Sequence, residues 1–183
     1  MKKIAIVLAA LLLCFGATAC GGSGPSTNTA ATTTAATTAA APKDKIVVVG
    51  HAAFSVPHDY TKTSSSETKK IKKADNYTSA KDFKVYENYA AEILVAYEKG
   101  YSKSDLTRFV RNINAFKSSK LKHSTIKGAP AITATHKYTD GSIASAVYFF
   151  KGGSIYFVYC GGDASADPPG VIANLTKTIT FNK

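Results

Sequence analysis

The chain has 183 residues and a formal charge of +11, from 23 lysines and arginines against 12 acidic residues. Only Arg108 and Arg111 are arginine. The basic excess therefore lacks the planar forks on which bidentate base and phosphate recognition leans, which sets nucleic-acid readout aside and leaves solubility or loose attraction to an anionic surface.

At the N-terminus, Lys2 and Lys3 precede an unbroken apolar run over residues 4–15, followed by Gly16, Ala17, Thr18 and Ala19. A basic segment, a short apolar segment and a small-residue cleavage site predict a signal peptide over residues 1–19. Twelve apolar residues fall short of the ~20 that a helix needs to cross the hydrocarbon core. Ala17-Thr18-Ala19-Cys20 resembles the lipobox of bacterial lipoproteins, in which the cysteine receives a diacylglycerol thioether before cleavage. The same three residues suit general signal peptidase, and both routes cut the same bond. Cysteine at the first mature position, followed by Gly21, Gly22, Ser23 and a polar stretch, favours lipidation at Cys20 over plain secretion.

Residues 25–42 are nearly all Thr and Ala, with no apolar side chain larger than alanine. Such a segment cannot bury enough surface to offset its ordering entropy, so residues 20–42 are expected to be a disordered tether of roughly 25 Å end to end. A wall-spanning or O-glycosylated stalk is the alternative reading of a Thr-rich tract. Residues 43–183 suit one domain with one core. Cys14 leaves with the signal and Cys160 stands alone; without lipidation Cys20 and Cys160 are free to pair.

Within residues 43–183, residues 45–49 form a β-branched run, and Phe54 and Val56 alternate with Ala53, Ser55 and Pro57; both segments predict strands, the second ended by Pro57. Residues 64–80 are polar and basic with Ile71 and Tyr77 as isolated anchors, and are expected to be a loop or a sheet edge. The cluster Lys69, Lys70, Lys72 and Lys73 lies here, either as a solvated face or as a contact for an anionic lipid or wall polymer. Residues 82–99 satisfy both helical and alternating spacing; their β-branched and aromatic content favours two strands turning near Asn88.

Residues 102–117 predict a helix, with Ser102 and Asp105 imitating a capping box and Leu106, Phe109, Val110, Ile113 and Phe116 on one face. Residues 131–138, 142–151 and 154–160, joined at Asp140-Gly141 and Gly152-Gly153, predict an antiparallel meander. Asp167 is expected to cap a short helix with Pro168 at its first position, followed by a strand over residues 179–181. The order predicts an α+β domain, an antiparallel sheet flanked by helices.

Four stretches carry a resemblance: Phe54-Ser55-Val56-Pro57; Glu92-Ile93-Leu94-Val95 with Gly100-Tyr101-Ser102-Lys103-Ser104-Asp105-Leu106; Ile126-Lys127-Gly128-Ala129-Pro130-Ala131; and Tyr156-Phe157-Val158-Tyr159 with residues 172–181. In type and order they resemble the PsbP-like family, named for an extrinsic photosystem II protein and also found as lipoproteins in non-photosynthetic bacteria. The resemblance implies the α+β sandwich and an accessory role, and carries over no site residue.

No catalytic, metal or cofactor motif stands out. His51, His58, His123 and His136 lack recognised ligand spacing, although His51 and His58 can converge in space. Asp163 and Asp167 mimic the opening of a calcium loop, but Pro168 stands where its glycine belongs and Asn174 where its glutamate belongs. No G-x-S-x-G or phosphate loop is present, and Cys160 reads as a small core hydrophobe. The expectation is a non-catalytic binding or assembly-accessory module on the outer face of the cytoplasmic membrane, with an envelope protein or anionic wall polymer as partner. A carrier of a small apolar ligand is the alternative, and an envelope enzyme ranks last.

Overall fold

The computed structural model describes residues 43–74 and 77–182. Residues 1–42, where the signal peptide, Cys20 and the tether are expected, lie outside them. The strands are β1 (Lys45–Val49), β2 (Ala52–Val56), β3 (Thr61–Lys62), β4 (Lys81–Glu87), β5 (Ala91–Lys99), β6 (Leu121–Ile126), β7 (Ala129–Lys137), β8 (Ile143–Lys151), β9 (Ser154–Gly162) and β10 (Thr180–Phe181). The helices are α1 (Ser65–Ala74), α2 (Asp105–Asn112) and α3 (Pro168–Thr178), with 3₁₀ turns at Asn114–Phe116 and Ala164–Ala166.

Seven strands form one sheet in the order β3-β4-β5-β9-β8-β7-β6, and β1-β2-β10 form a second; every pairing is antiparallel. Both faces of the large sheet are covered, and the period-2 pleat divides its side chains between two cores. On one face Ile93, Val95, Val147, Phe149, Tyr156, Val158 and Cys160 pack with Val49 and Phe54 of the small sheet and Ile172 and Leu175 of α3. On the other, Leu94, Ala96, Ile132, Ala146, Tyr148, Ile155 and Phe157 pack with Leu106 and Val110 of α2 and with Phe116. This is the expected antiparallel sheet flanked by helices.

Residues 82–99 are two strands, with Asn88 at their turn accepting hydrogen bonds through Oδ1 from the amides of Ala90 (3.0 Å) and Ala91 (2.9 Å). An Asx side chain that bonds its own backbone two and three residues on stabilises a reversal rather than a helical turn. The expected antiparallel meander is β7-β8-β9, and α3 begins at Pro168 with the Asp167 carboxylate accepting from the Gly170 amide at 3.2 Å.

Three elements differ from expectation. Residues 64–80 contain a helix, α1, rather than only a loop or edge. Ser64 Oγ accepts from the Glu67 amide at 3.2 Å, Glu67 lies in the first turn, Lys72 and Lys73 lie in the last, and Lys70 reaches Glu67 at 3.0 Å. A capped N-terminus, charges that complement the dipole and an i,i+3 ion pair make a helix of a segment with one apolar residue, where hydrophobic periodicity had little to report. The predicted helix over residues 102–117 ends at Asn112: Ile113 is extended (φ −78°, ψ 120°), and the following 3₁₀ turn carries Phe116 into full burial. Arg111 donates to the carbonyls of Phe116 (3.4 Å), Lys117 (2.9 Å) and Ser119 (2.7 Å), satisfying acceptors around the break. Strand β6, absent from the expectation, pairs with β7 through a turn in which Lys127 (φ 49°) and Gly128 (φ 80°) are both left-handed, as a two-residue I′ hairpin requires.

Phe149→Ala is expected to lower unfolding free energy by about 3–5 kcal/mol, read from urea denaturation of the full chain, because this fully buried ring stacks on Tyr156 at 5.1 Å. Ser64→Ala, which removes only the cap of α1, is expected to cost about 1 kcal/mol in the same measurement. An equal loss from both would contradict the assignment of the core to the sheet.

Candidate functional site

Along α1, Ser65, Thr68, Lys69 and Lys72 stand at the i, i+3, i+4, i+7 spacing that sets residues on one helical face. This face borders a groove at the β3–β4 edge of the large sheet, about 310 Å³ in volume, whose other walls are Lys62, Thr63, Asp82, Phe83 and Lys84. The structure thus brings Lys69 and Lys72 together with Lys62 and Lys84, two lysines outside the basic cluster of residues 69–73. Lys70 and Lys73, singled out with them in the sequence, are not part of the groove wall; Lys70 instead holds Glu67.

Among the described residues, four lysines and one carboxylate leave the groove with a net positive wall. Two of the cations are tethered: Lys72 Nζ donates to the carbonyl of Ala80 at 2.6 Å, and Lys84 Nζ donates to the carbonyl of Val48. An ammonium has three donors, so each tethered group keeps hydrogen-bonding capacity. Among the described residues the side chains of Lys62 and Lys69 make no hydrogen bond or ion pair. Asp82 is directed by its backbone: the β4–β5 register shifts between Lys81 and Lys84, Asp82 is left-handed (φ 48°), and its carboxylate accepts from the Gly50 amide at 2.9 Å. Bulges of this kind re-aim side chains beside sites. Thr63, 7% exposed, has a buried hydroxyl with no hydrogen-bond partner among the described residues. An unsatisfied buried hydroxyl costs on the order of 1–3 kcal/mol and calls for a specific cause.

The remaining sequence candidates are dispersed. His58 Nδ1 lies 3.8 Å from Asp44, His136 meets the edge of Tyr138, His123 sits on exposed β6, and His51 is in the β1–β2 turn with its amide 3.4 Å from the Tyr156 hydroxyl. His51 and His58 are not brought together as metal ligands: among the described residues no group of three or more His, Cys, Asp or Glu is placed to hold a metal ion. Asp163 and Asp167 flank the second 3₁₀ turn, and Asp167 caps α3.

Cys160 is fully buried on the face shared with Tyr156 and Val158, as a core hydrophobe should be. Burial pushes its thiol from an ordinary 9.0 up to about 12, against a smaller lowering by its hydrogen bond with Tyr60; burial and the neighbouring Cys160 push the Tyr60 phenol up as well. A thiol so held is protonated at neutral pH and is no nucleophile.

No protein-family model matches the sequence, and no curated protein matches it either. In structure the chain is similar to cyanobacterial PsbP (CyanoP) from Synechocystis, with a TM-score of 0.50 at 10% identity over 72% of this chain and 86% of that one. It is also similar to a protein of Bacteroides thetaiotaomicron (TM-score 0.46, 13% identity, 77% of this chain and 48% of that one). A third similarity is to LpqN of Mycobacterium tuberculosis, involved in cell envelope biogenesis (TM-score 0.45, 10% identity, 77% and 91%). At this identity the likeness is one of fold, and the fold is PsbP-like.

The buried thiol gives a pH prediction. An unfolded chain releases the Cys160 proton near pH 9, whereas the folded chain holds it to about 12, so this contribution to stability is complete below pH 9 and is lost as pH rises from 9 to 12. The unfolding free energy of the full chain, read from urea denaturation, is expected to fall over that window by up to about 1.4 kcal/mol per pH unit for this group, and Cys160→Ala is expected to flatten the decline. An unchanged slope in the variant would refute the assignment.

Proposed function

We propose that the protein is a lipid-anchored, exported binding module, held on the outer face of the cytoplasmic membrane through Cys20, that engages an anionic envelope component without catalysing a reaction. The observation that carries this reading is the convergence of Lys62, Lys69, Lys72 and Lys84 on one groove. Clustered cations at an open groove suit capture of negative charge. The reading gains support from the N-terminal segment, whose basic, apolar and small-residue parts end at a cysteine. A diacylated cysteine gives a stable anchor where a single chain gives a reversible one, and the Thr/Ala tether then raises the effective concentration of the domain near the envelope.

The PsbP-like fold agrees with an accessory role by analogy of fold, which by itself assigns no partner. Against a carrier of an apolar ligand, the spaces between sheet and helices are filled by Phe116, Tyr148, Phe157, Ile172 and Leu175, each fully buried. An envelope protein with an acidic surface and an anionic wall polymer are the partner classes this charge suits.

Cell fractionation tests the anchor. The wild-type chain is expected in the membrane fraction with incorporation of labelled palmitate, and Cys20→Ser is expected to lose the label and leave the membrane fraction. Retention of the unlabelled variant on the membrane would defeat the lipid-anchor assignment. Crosslinking on intact cells tests the binding role, and turnover of an envelope substrate by the purified chain would replace it with an enzymatic one.

A further inference from the structure

The geometry points to the α1/β3–β4 groove as a phosphate site, one that takes a single phosphate group carried on a small hydroxylated unit such as glycerol phosphate. This rests on the proposed anionic partner and narrows it to a chemistry and a place. A volume of about 310 Å³ is at the lower end of small-molecule sites. It has room for one lipid headgroup or one polymer repeat, not for the surface of a folded partner.

Among the described residues the groove's cations are all lysine. Bidentate recognition of carboxylates and phosphates alike uses the guanidinium fork, and both arginines of the chain are engaged elsewhere: Arg108 pairs with Asp105, and Arg111 ties down three carbonyls. The groove has compact ammonium groups instead, each a point charge with rotatable donors, which can distribute around a tetrahedral oxyanion. Lys72 and Lys84 are anchored by backbone carbonyls, so part of the positive wall is in place before a ligand arrives. Lys62 and Lys69, exposed and unpaired among the described residues, are available to close on the anion.

Ser65 and Thr68 add hydroxyl-bearing residues to the lining, and Phe83 adds a partly buried ring against which a polyol carbon chain can rest. Among the described residues, the one carboxylate in the wall, Asp82, has an oxygen bonded to the Gly50 amide, which tempers its repulsion of an anion.

The test is calorimetric titration of the full chain in non-ionic detergent with inorganic phosphate, with a glycerol phosphate oligomer, and with mixed micelles containing phosphatidylglycerol. Saturable one-site binding of phosphate and glycerol phosphate is expected. Lys62→Gln combined with Lys69→Gln is expected to weaken it about tenfold or more, while Lys70→Gln combined with Lys73→Gln, equal in charge but outside the groove, changes it by about twofold or less. These lysines are exposed, and thermal melts confirm that both variants fold. Tighter binding of the oligomer marks a wall polymer as the source of the phosphate; tighter binding of the micelles marks a lipid, and either supports the site. Equal weakening by the two variants, or binding of polyglutamate in preference to every phosphate probe, overturns the phosphate site but leaves the anionic partner standing. Failure of the wild-type chain to bind any of these anions overturns both.

Discussion

Burial of the seven-stranded sheet on both faces is the constraint on which the rest of the structure depends. Strands β5, β8 and β9 lie where each residue must face one core or the other, so a polar side chain has almost nowhere to go. Ile93 and Val95 face one way and Leu94 and Ala96 the other, and Tyr156, Val158 and Cys160 oppose Ile155 and Phe157. A one-residue slip would exchange the two sets entirely, which makes the register as strongly specified as the composition. The pleat also aligns a row of rings: Tyr97 stacks on Tyr156 at 5.3 Å, Tyr156 on Phe149 at 5.1 Å, and Phe149 meets Phe181 of the small sheet at 5.7 Å. Lys99 and Lys151 lie over its outer rings. This row ties the two sheets together. It also explains Gly50, where a Cβ would come within 3.0 Å of Tyr97 and 3.2 Å of Tyr156 in a left-handed turn (φ +54°).

The groove arises at the margin of this arrangement, where the sheet runs out. β3 has two residues and ends the sheet beside α1, a helix with no fully buried side chain. Its hold on the sheet is light: Ile71 is partly buried against the core, and Lys72 ties the last turn to the carbonyl of Ala80. Function can reside there because the two cores do not require those side chains. Lys62, Lys69 and Thr68 are replaceable as far as packing is concerned, which is what allows a surface to be shaped by charge.

Most of the fold was legible because it rests on local rules. The β-branched runs, the Asp140-Gly141 and Gly152-Gly153 turns, Asn88 between two alternating segments and Asp167-Pro168 before α3 each carry a backbone instruction in a few residues. The misses came where that signal was weak or overridden. For α1 the sequence held a capping box, Ser64 with Glu67, but one apolar residue in ten gave no periodicity to confirm it. For α2 the apolar face continues through Ile113 to Phe116, and tertiary packing broke the helix to sink Phe116 between sheet and helix. For β6, Leu121 and Ile126 enclose four exposed residues, the pattern of an outermost strand with little to bury, and only the left-handed Lys127-Gly128 turn betrays it.

The amino-acid sequence by itself determined the α+β class, the antiparallel meander, the core role of Cys160 and the basic character of the segment around residues 69–73. These follow from hydrophobic period, turn chemistry and composition, which act over a few residues at a time. Only the tertiary structure decided which lysines share a site, because the answer depends on pairing across the chain. β3 and β4 are separated in the chain by α1, and their pairing places Lys62 opposite Tyr86, so that Lys62 of β3 and Asp82 and Lys84 of β4 line one groove with α1. Of the four consecutive-looking lysines of α1, the 100° turn per residue turned Lys69 and Lys72 inward to that groove and left Lys70 and Lys73 outside it.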